Sequence, residues 1–200
     1  MQHNDYSHLP FEKRLQIGAG FYQKEIIKHL EKNGIKIQPA TDYHTDAILK
    51  IDGYIDGDPS KPIQIKHRKI EVKDRNDLAY EVCRNFKSNK ELEIQLKNTH
   101  QQGRDYKGNG IKYYFLLNNS ETIIYQLCGD LIKNYIQKAI HELNESRNQG
   151  KLNKRFISLD KIEMIHTRDR DPKSFTPQKV MAFIPIDLIC INSIKLNDAF

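Results

Sequence analysis

The sequence predicts a mixed α/β (α+β) fold, a sheet covered by helices. Three observations lead there. Two segments, Phe11–Asn33 and Leu131–Asn148, repeat apolar residues at steps of three and four. Several short segments between them show β-type alternation. The order is helix, strand run, hairpin, helix, and such elements must bury their apolar faces on one another.

In Phe11–Asn33 the stripe is Leu15, Ala19, Tyr22, Ile26 and Leu30, with Gly34 as a stop. Ile35–Ala40 and Asp46–Ile55 read as strands, the second carrying Ile48, Leu49 and Ile51. Asp56-Gly57-Asp58-Pro59-Ser60 is turn chemistry. Pro62–Ile70 is a third strand, with Ile63 and Ile65 alternating with Gln64, Lys66 and Arg68. Leu78–Cys83 is a fourth. Phe86–Gly110 is rich in Asn, Gln and Lys and reads as a polar insertion. Ile111–Leu117 and Thr122–Gln126 form a hairpin around Asn118-Asn119-Ser120. The second helix has Leu131, Tyr135, Ile136, Ala139, Ile140 and Leu143 on one side, and Gly150 closes it. Phe156–Ile165 and Val180–Ile194 read as short strands. The division expected is a core over 1–150 with its insertion at about 86–110, and a basic extension over 151–200 packed on that core.

Composition narrows the function classes. The chain has 200 residues, 38% hydrophobic and 29% charged, which suits a folded domain rather than a disordered one. The longest apolar stretch, Met181–Ile191, is broken by Pro185 and Asp187 and is too short for a membrane span. The start, MQHNDYSH, has neither a basic nor an apolar leader region, so no signal peptide is expected. Cys83, Cys128 and Cys190 stand far apart, fitting reduced thiols in a cytoplasmic or nucleoid-associated protein. Lys and Arg number 32 against 26 acidic residues, a net charge of +6 that suits a polyanionic partner. No GxSxG, P-loop, GxGxxG or HExxH pattern is present.

One group of residues carries chemistry. Gln64 and Lys66 share a strand face because side chains alternate with period two. Pairing through the Asp56–Pro62 turn lets Asp52 point toward the same face. A carboxylate and an amide oxygen are hard ligands for Mg²⁺, or Mn²⁺ in its place. The metal would acidify a bound water. A neighbouring ammonium would hold that water or stabilise charge on phosphorus.

Asp52, eleven intervening residues and then Gln64-Ile65-Lys66 resembles the signature of the PD-(D/E)XK (restriction-endonuclease-like) nucleases in its QXK form. GFYQKEIIKHLEKNGIKI, ATDYHTDAILKIDGYID and QIKHRK…NDLAYEV resemble resolvase, homing and phage-type members over residues 17 to 83. The resemblance implies an αβββαβ core and Mg²⁺-dependent cleavage of double-stranded DNA by a homodimer or higher homo-oligomer, away from membranes. Asp52 and Gln64 would bind the metal, and Lys66 would hold water or phosphate. The chain departs from the pattern in two places. Ile51 stands where the motif has Pro, and Gln64 stands where it has an acid.

The family's first-helix Glu matches Gln23 by spacing to Gly34. Gln23 lies about 60° from Ile26 around the helix, on the apolar side, and Glu25 about 100° the other way. Either Gln23 joins the site or the helix is rotated and Glu25 enters. Asp46, Asp56 and Glu81 are reserve carboxylates. Arg68, Lys69, Lys151, Lys154 and Arg155 would hold phosphates, and Asn and Gln of the 86–110 segment would read adenine edges.

Each residue also has a plainer reading. Asp52-Gly53 is a common turn pair, Gln64 and Gln23 suit buried hydrogen-bonded amides, and the cations suit a solvated edge. Cys83 reads as core. The alternative function is a catalytically inactive nuclease-fold module that binds DNA or protein. A third is a ribonuclease.

Overall fold

A computed structural model of the chain describes residues 11–41, 51–67, 76–84, 86, 88–102, 110–118, 120–147, 155–167 and 179–196. In chain order the helices and strands are α1 (Phe11–Lys32), β1 (Ile37–Pro39), β2 (Gly53–Ile55), β3 (Pro62–His67), β4 (Asp77–Arg84), α2 (Asn89–Gln102), β5 (Tyr113–Leu117), β6 (Ile123–Cys128), α3 (Gly129–Arg147), β7 (Arg155–Ile157), β8 (Glu163–Thr167), β9 (Lys179–Pro185), α4 (Ile186–Ile189) and β10 (Cys190–Lys195).

The strands form two sheets. The first is mixed and six-stranded, in the order β1-β2-β3-β5-β6-β10, with β3 and β5 parallel and the other pairs antiparallel. A parallel pair needs a crossover, and the chain makes it through β4 and α2. The second sheet is antiparallel, in the order β4-β9-β8-β7. The expected mixed sheet flanked by helices is thus present, accompanied by a second sheet that strand patterning did not anticipate. The fourth predicted strand, now β4, lies in that second sheet beside β9.

Helix α1 ends as its sequence predicts. Gly34 has φ 81, which costs glycine nothing. The N–H of Ile35 bonds the Leu30 carbonyl at 2.9 Å and the N–H of Gly34 bonds that of Glu31 at 3.0 Å, the paired bonds of a Schellman stop. Ile26 and Leu30, both fully buried, seat the helix on Ile37, Ile63, Phe115, Leu117 and Ile124. Burying one such side chain contributes about 1.5–3 kcal/mol. The sheet's other face carries Tyr114, Leu116 and Leu127 into a larger core with α2, α3 and the second sheet.

The β2–β3 connection is also legible in its residues. Asp56 and Gly57 take φ 53 and φ 70, and the N–H of Asp58 bonds the Ile55 carbonyl at 3.0 Å. Asp-Gly suits these two successive left-handed residues, and a second turn, from the Lys61 N–H to the Asp58 carbonyl at 2.9 Å, completes the connection.

Three readings need correction. The 86–110 segment contains a helix, α2, where only a polar insertion was expected. Leu92 and Leu96 are its buried positions, and the Ser88 hydroxyl accepts the Glu91 N–H at 3.2 Å. Ser-x-x-Glu is a helix-start signature; the run of amides around it hid the two leucines. Val180–Ile194 is parted by α4 into β9 and β10 of different sheets, and Phe156–Ile165 is not one strand either. It turns back between β7 and β8, where the Ser158 hydroxyl accepts the Ile162 N–H at 3.1 Å and Lys161 takes φ 61. Residues beyond 154 supply strands to both sheets, so the described part of the basic extension is woven through the fold.

Candidate active site

The site residues gather where β2 parts from β3. Gly53 is the register partner of Ile63, yet the Ile63 carbonyl receives the N–H of Asp52 at 2.9 Å. The ladder therefore slips by one residue at Asp52. Two residues further along β3, the Ile65 N–H points the same way in the sheet. The Asp52 carboxylate takes it, with Oδ2 at 2.5 Å from the Ile65 nitrogen. A side-chain oxygen thus stands in for a strand carbonyl. It sits beside the backbone that joins Gln64 to Lys66.

Gly53 explains the Asp-Gly pair. A Cβ there would lie 2.6 Å from the Gln38 carbonyl oxygen and 3.1 Å from Ile37 Cγ2. The glycine is a strand residue that lets β1 approach, not part of a turn, so the turn reading of Asp52 is replaced.

Register fixes the facing of the other two side chains. Ile63 and Ile65 pair in parallel with Tyr113 and Phe115, and pack on the α1 side. Gln64 and Lys66 pair with Tyr114 and Leu116, which belong to the opposite core. Asp52, Gln64 and Lys66 are all half-buried, which suits groups that must reach a ligand from a rigid strand.

Gln23 is placed differently. It is half-buried on the α1 stripe with Ile26 and Leu30, as its angle predicts, but α1 covers the face opposite Gln64 and Lys66. The structure therefore does not set Gln23 beside those two on one face. Glu25 turns aside and pairs with Lys28 at 2.5 Å. Of the reserve carboxylates, Glu81 lies 3.4 Å from Arg84 in β4, Asp56 is an exposed turn residue, and Asp46 lies outside the described residues.

Four of the five predicted phosphate-binding residues, Arg68, Lys69, Lys151 and Lys154, lie outside the described residues. Arg155 is on the outermost strand of the second sheet and is ion-paired with Glu163. Gln95, in the segment expected to read bases, has its amide committed to Arg84. It accepts that residue's N–H at 3.0 Å and donates to its carbonyl at 2.9 Å.

Among the described residues no three His, Cys, Asp or Glu side chains gather to hold a metal. The donor set at the fork is one carboxylate and one amide. Mg²⁺ is commonly held by one or two carboxylates plus waters and substrate phosphates. With only one carboxylate in this set, an ion held there would need its remaining charge neutralised by other groups.

Cys83 is fully buried, and burial pushes its thiol up to about 12; a thiolate nucleophile would need the opposite shift. Among the described residues no helix is long and apolar enough to cross a membrane. Sequence reasoning missed one polar group near the fork, formed by Tyr22, His67 and Glu121, because its members are far apart in the chain. Comparison with family models, curated proteins and solved structures gave no match.

Proposed function

We propose that the protein is a Mg²⁺-dependent endonuclease that hydrolyses phosphodiester bonds of double-stranded DNA. The observation that carries this reading is the bond from the Ile65 N–H to Asp52. It holds the carboxylate against the strand segment that bears Gln64 and Lys66. The order is α1-β1-β2-β3-β4-α2-β5, with β3 and β5 parallel; it supports the reading only once β4, which belongs to the second sheet, is set aside from the αβββαβ pattern that the motif resemblance implies. The net charge of +6 supports a polyanionic substrate.

In this reading Asp52 and Gln64 hold the ion through oxygen. The bound metal supplies an acidified water and withdraws charge from the phosphate. Lys66 places its ammonium where charge builds on phosphorus, a contribution worth about 10²–10³ in rate for a well-placed donor. One such site cuts one strand, so a double-strand break calls for a homodimer or higher assembly acting on two-fold related positions.

A second reading is a nuclease-fold module that binds DNA or protein without cutting. The observation in its favour is the single anionic ligand among Asp52, Gln64 and Lys66. Incubation of the full chain with supercoiled plasmid and Mg²⁺ or Mn²⁺ separates the two. Nicked or linear product that requires the metal supports the endonuclease. Retarded but intact plasmid supports the binding module, and cleavage of RNA alone assigns a ribonuclease instead.

A further inference from the structure

Strand β3 is held unevenly. On one side β5 pairs with it through to His67, opposite Leu117. On the other side β2 has already left, and Ile65 is held by the Asp52 carboxylate. Among the described residues, Lys66 and His67 lie beyond the last β2 contact. At His67, residues of two further elements meet the strand.

The His67 ring stacks on Tyr22 of α1, with centroids 3.7 Å apart and an interplanar angle of 11°. Its Nε2 lies 3.4 Å from Oε1 of Glu121. The Tyr22 hydroxyl hydrogen-bonds the same carboxylate. Helix, strand end and the β5–β6 turn thus meet directly after Lys66.

Glu121 reaches this place at a conformational cost. It is a non-glycine residue at φ 55, in a region L-residues avoid. Asn118 keeps the turn in shape. Its Oδ1 accepts the N–H groups of Thr122 at 2.8 Å and Ile123 at 3.0 Å. Its Nδ2 donates to Ser120 Oγ at 2.8 Å and Thr122 Oγ1 at 3.1 Å.

We propose that Tyr22, Glu121 and His67 form a clamp that positions Lys66 near the end of β3. The proposal rests on the role given to Lys66 above. All three are positioning residues, since His67 and Tyr22 lie on the α1 face and Lys66 on the other.

Glu121→Gly separates positioning from folding. Glycine removes the carboxylate and relieves the left-handed backbone together. The melting temperature is therefore expected to hold or rise, while plasmid turnover falls about 10- to 100-fold, the scale of a misplaced catalytic group. Half-saturating DNA is expected to stay within about twofold, as for a group used in the transition state. Tyr22→Phe, which keeps the stack and loses the hydroxyl, should lose turnover to the same extent. Glu121→Gln still accepts the hydroxyl and recovers most of the turnover.

Wild-type turnover in E121G and Y22F, with K66A inactive, would overturn the clamp and leave the nuclease reading in place. Wild-type cutting by K66A, or no cutting by the unaltered chain, would remove both. Amide exchange at Ile65 and Lys66 reads the clamp without catalysis. It should be about tenfold faster in both variants, as local opening grows easier; unchanged exchange overturns the proposal whatever the plasmid assay gives.

Discussion

The Asp52 carboxylate completes the strand ladder by accepting the N–H of Ile65 at 2.5 Å. This bond gives Asp52 a structural task separable from any chemistry. Asp52→Ala strands a half-buried donor and should cost about 1–3 kcal/mol. Asp52→Asn keeps an acceptor oxygen and should lie within about 0.5 kcal/mol of wild type, yet lose the anionic ligand and about 10²–10³ in cleavage rate. Urea titrations beside plasmid assays of the two variants check this. Equal stability for Ala and Asn would mean the bond contributes nothing.

Two glycines should be intolerant of alanine, to different degrees. At Gly129 an added Cβ would fall 1.9 Å from the Ile111 carbonyl oxygen and 3.0 Å from that of Lys112, with backbone on both sides. At Gly53 the nearest atom is the Gln38 carbonyl oxygen at 2.6 Å, on the short edge strand β1. Gly53→Ala should cost about 1–3 kcal/mol and Gly129→Ala more, measured as shifts in the denaturation midpoint. The reverse ranking would contradict the close approach of Gly129 to the Ile111 and Lys112 backbone.

Thiol chemistry should divide the cysteines. Cys83 is buried in the core between the sheets, with its thiol pushed up to about 12. Cys128 and Cys190 are half-exposed. A thiol reagent at about pH 8 should titrate two groups in the folded protein and the third only in denaturant. Fast labelling of Cys83 in the folded state would place it outside the core.

Alkaline pH should weaken the contacts of Tyr22. Burial first, then the hydrogen bond and negative charge of Glu121, raise its hydroxyl above the usual tyrosine value. The folded state therefore favours the protonated phenol. The resulting stability is fully present below the unfolded value of about 10 and is lost as pH rises through the folded one. The stability difference between wild type and Tyr22→Phe should be constant up to about pH 9 and shrink above it. A difference that grows with pH would have the wrong sign for this environment.

Much of the fold could be read in the residues. The α1 stripe with its Gly34 stop, the Asp56-Gly57 turn, the β5–β6 hairpin and α3 are local patterns, and each lies close to its expected place. What escaped was non-local. Nothing in the alternation of Leu78–Cys83 says that it pairs with residues 179–185 rather than with β3, because an amphipathic strand fits either sheet. The Ser88-x-x-Glu91 start of α2 was legible, but amides outnumbered its two buried leucines. At the site, period-two alternation was enough to put Gln64 and Lys66 on one face. It could not give the slip in the ladder that brings Asp52 to Ile65, nor the sheet face that α1 covers, which parts Gln23 from them. The meeting of Tyr22, His67 and Glu121 depends on α1 and the β5–β6 turn arriving at one strand end, a matter of tertiary packing.

The central claim is that Asp52 and Gln64 hold a divalent cation at the β2–β3 fork. Crystals of the full chain with duplex DNA and Mn²⁺ test it through anomalous scattering. The account predicts a peak within about 2.5 Å of a carboxylate oxygen of Asp52 and the amide oxygen of Gln64, bridged to a phosphate. DNA bound with no peak at the fork, or with the ion held by other residues, would contradict it.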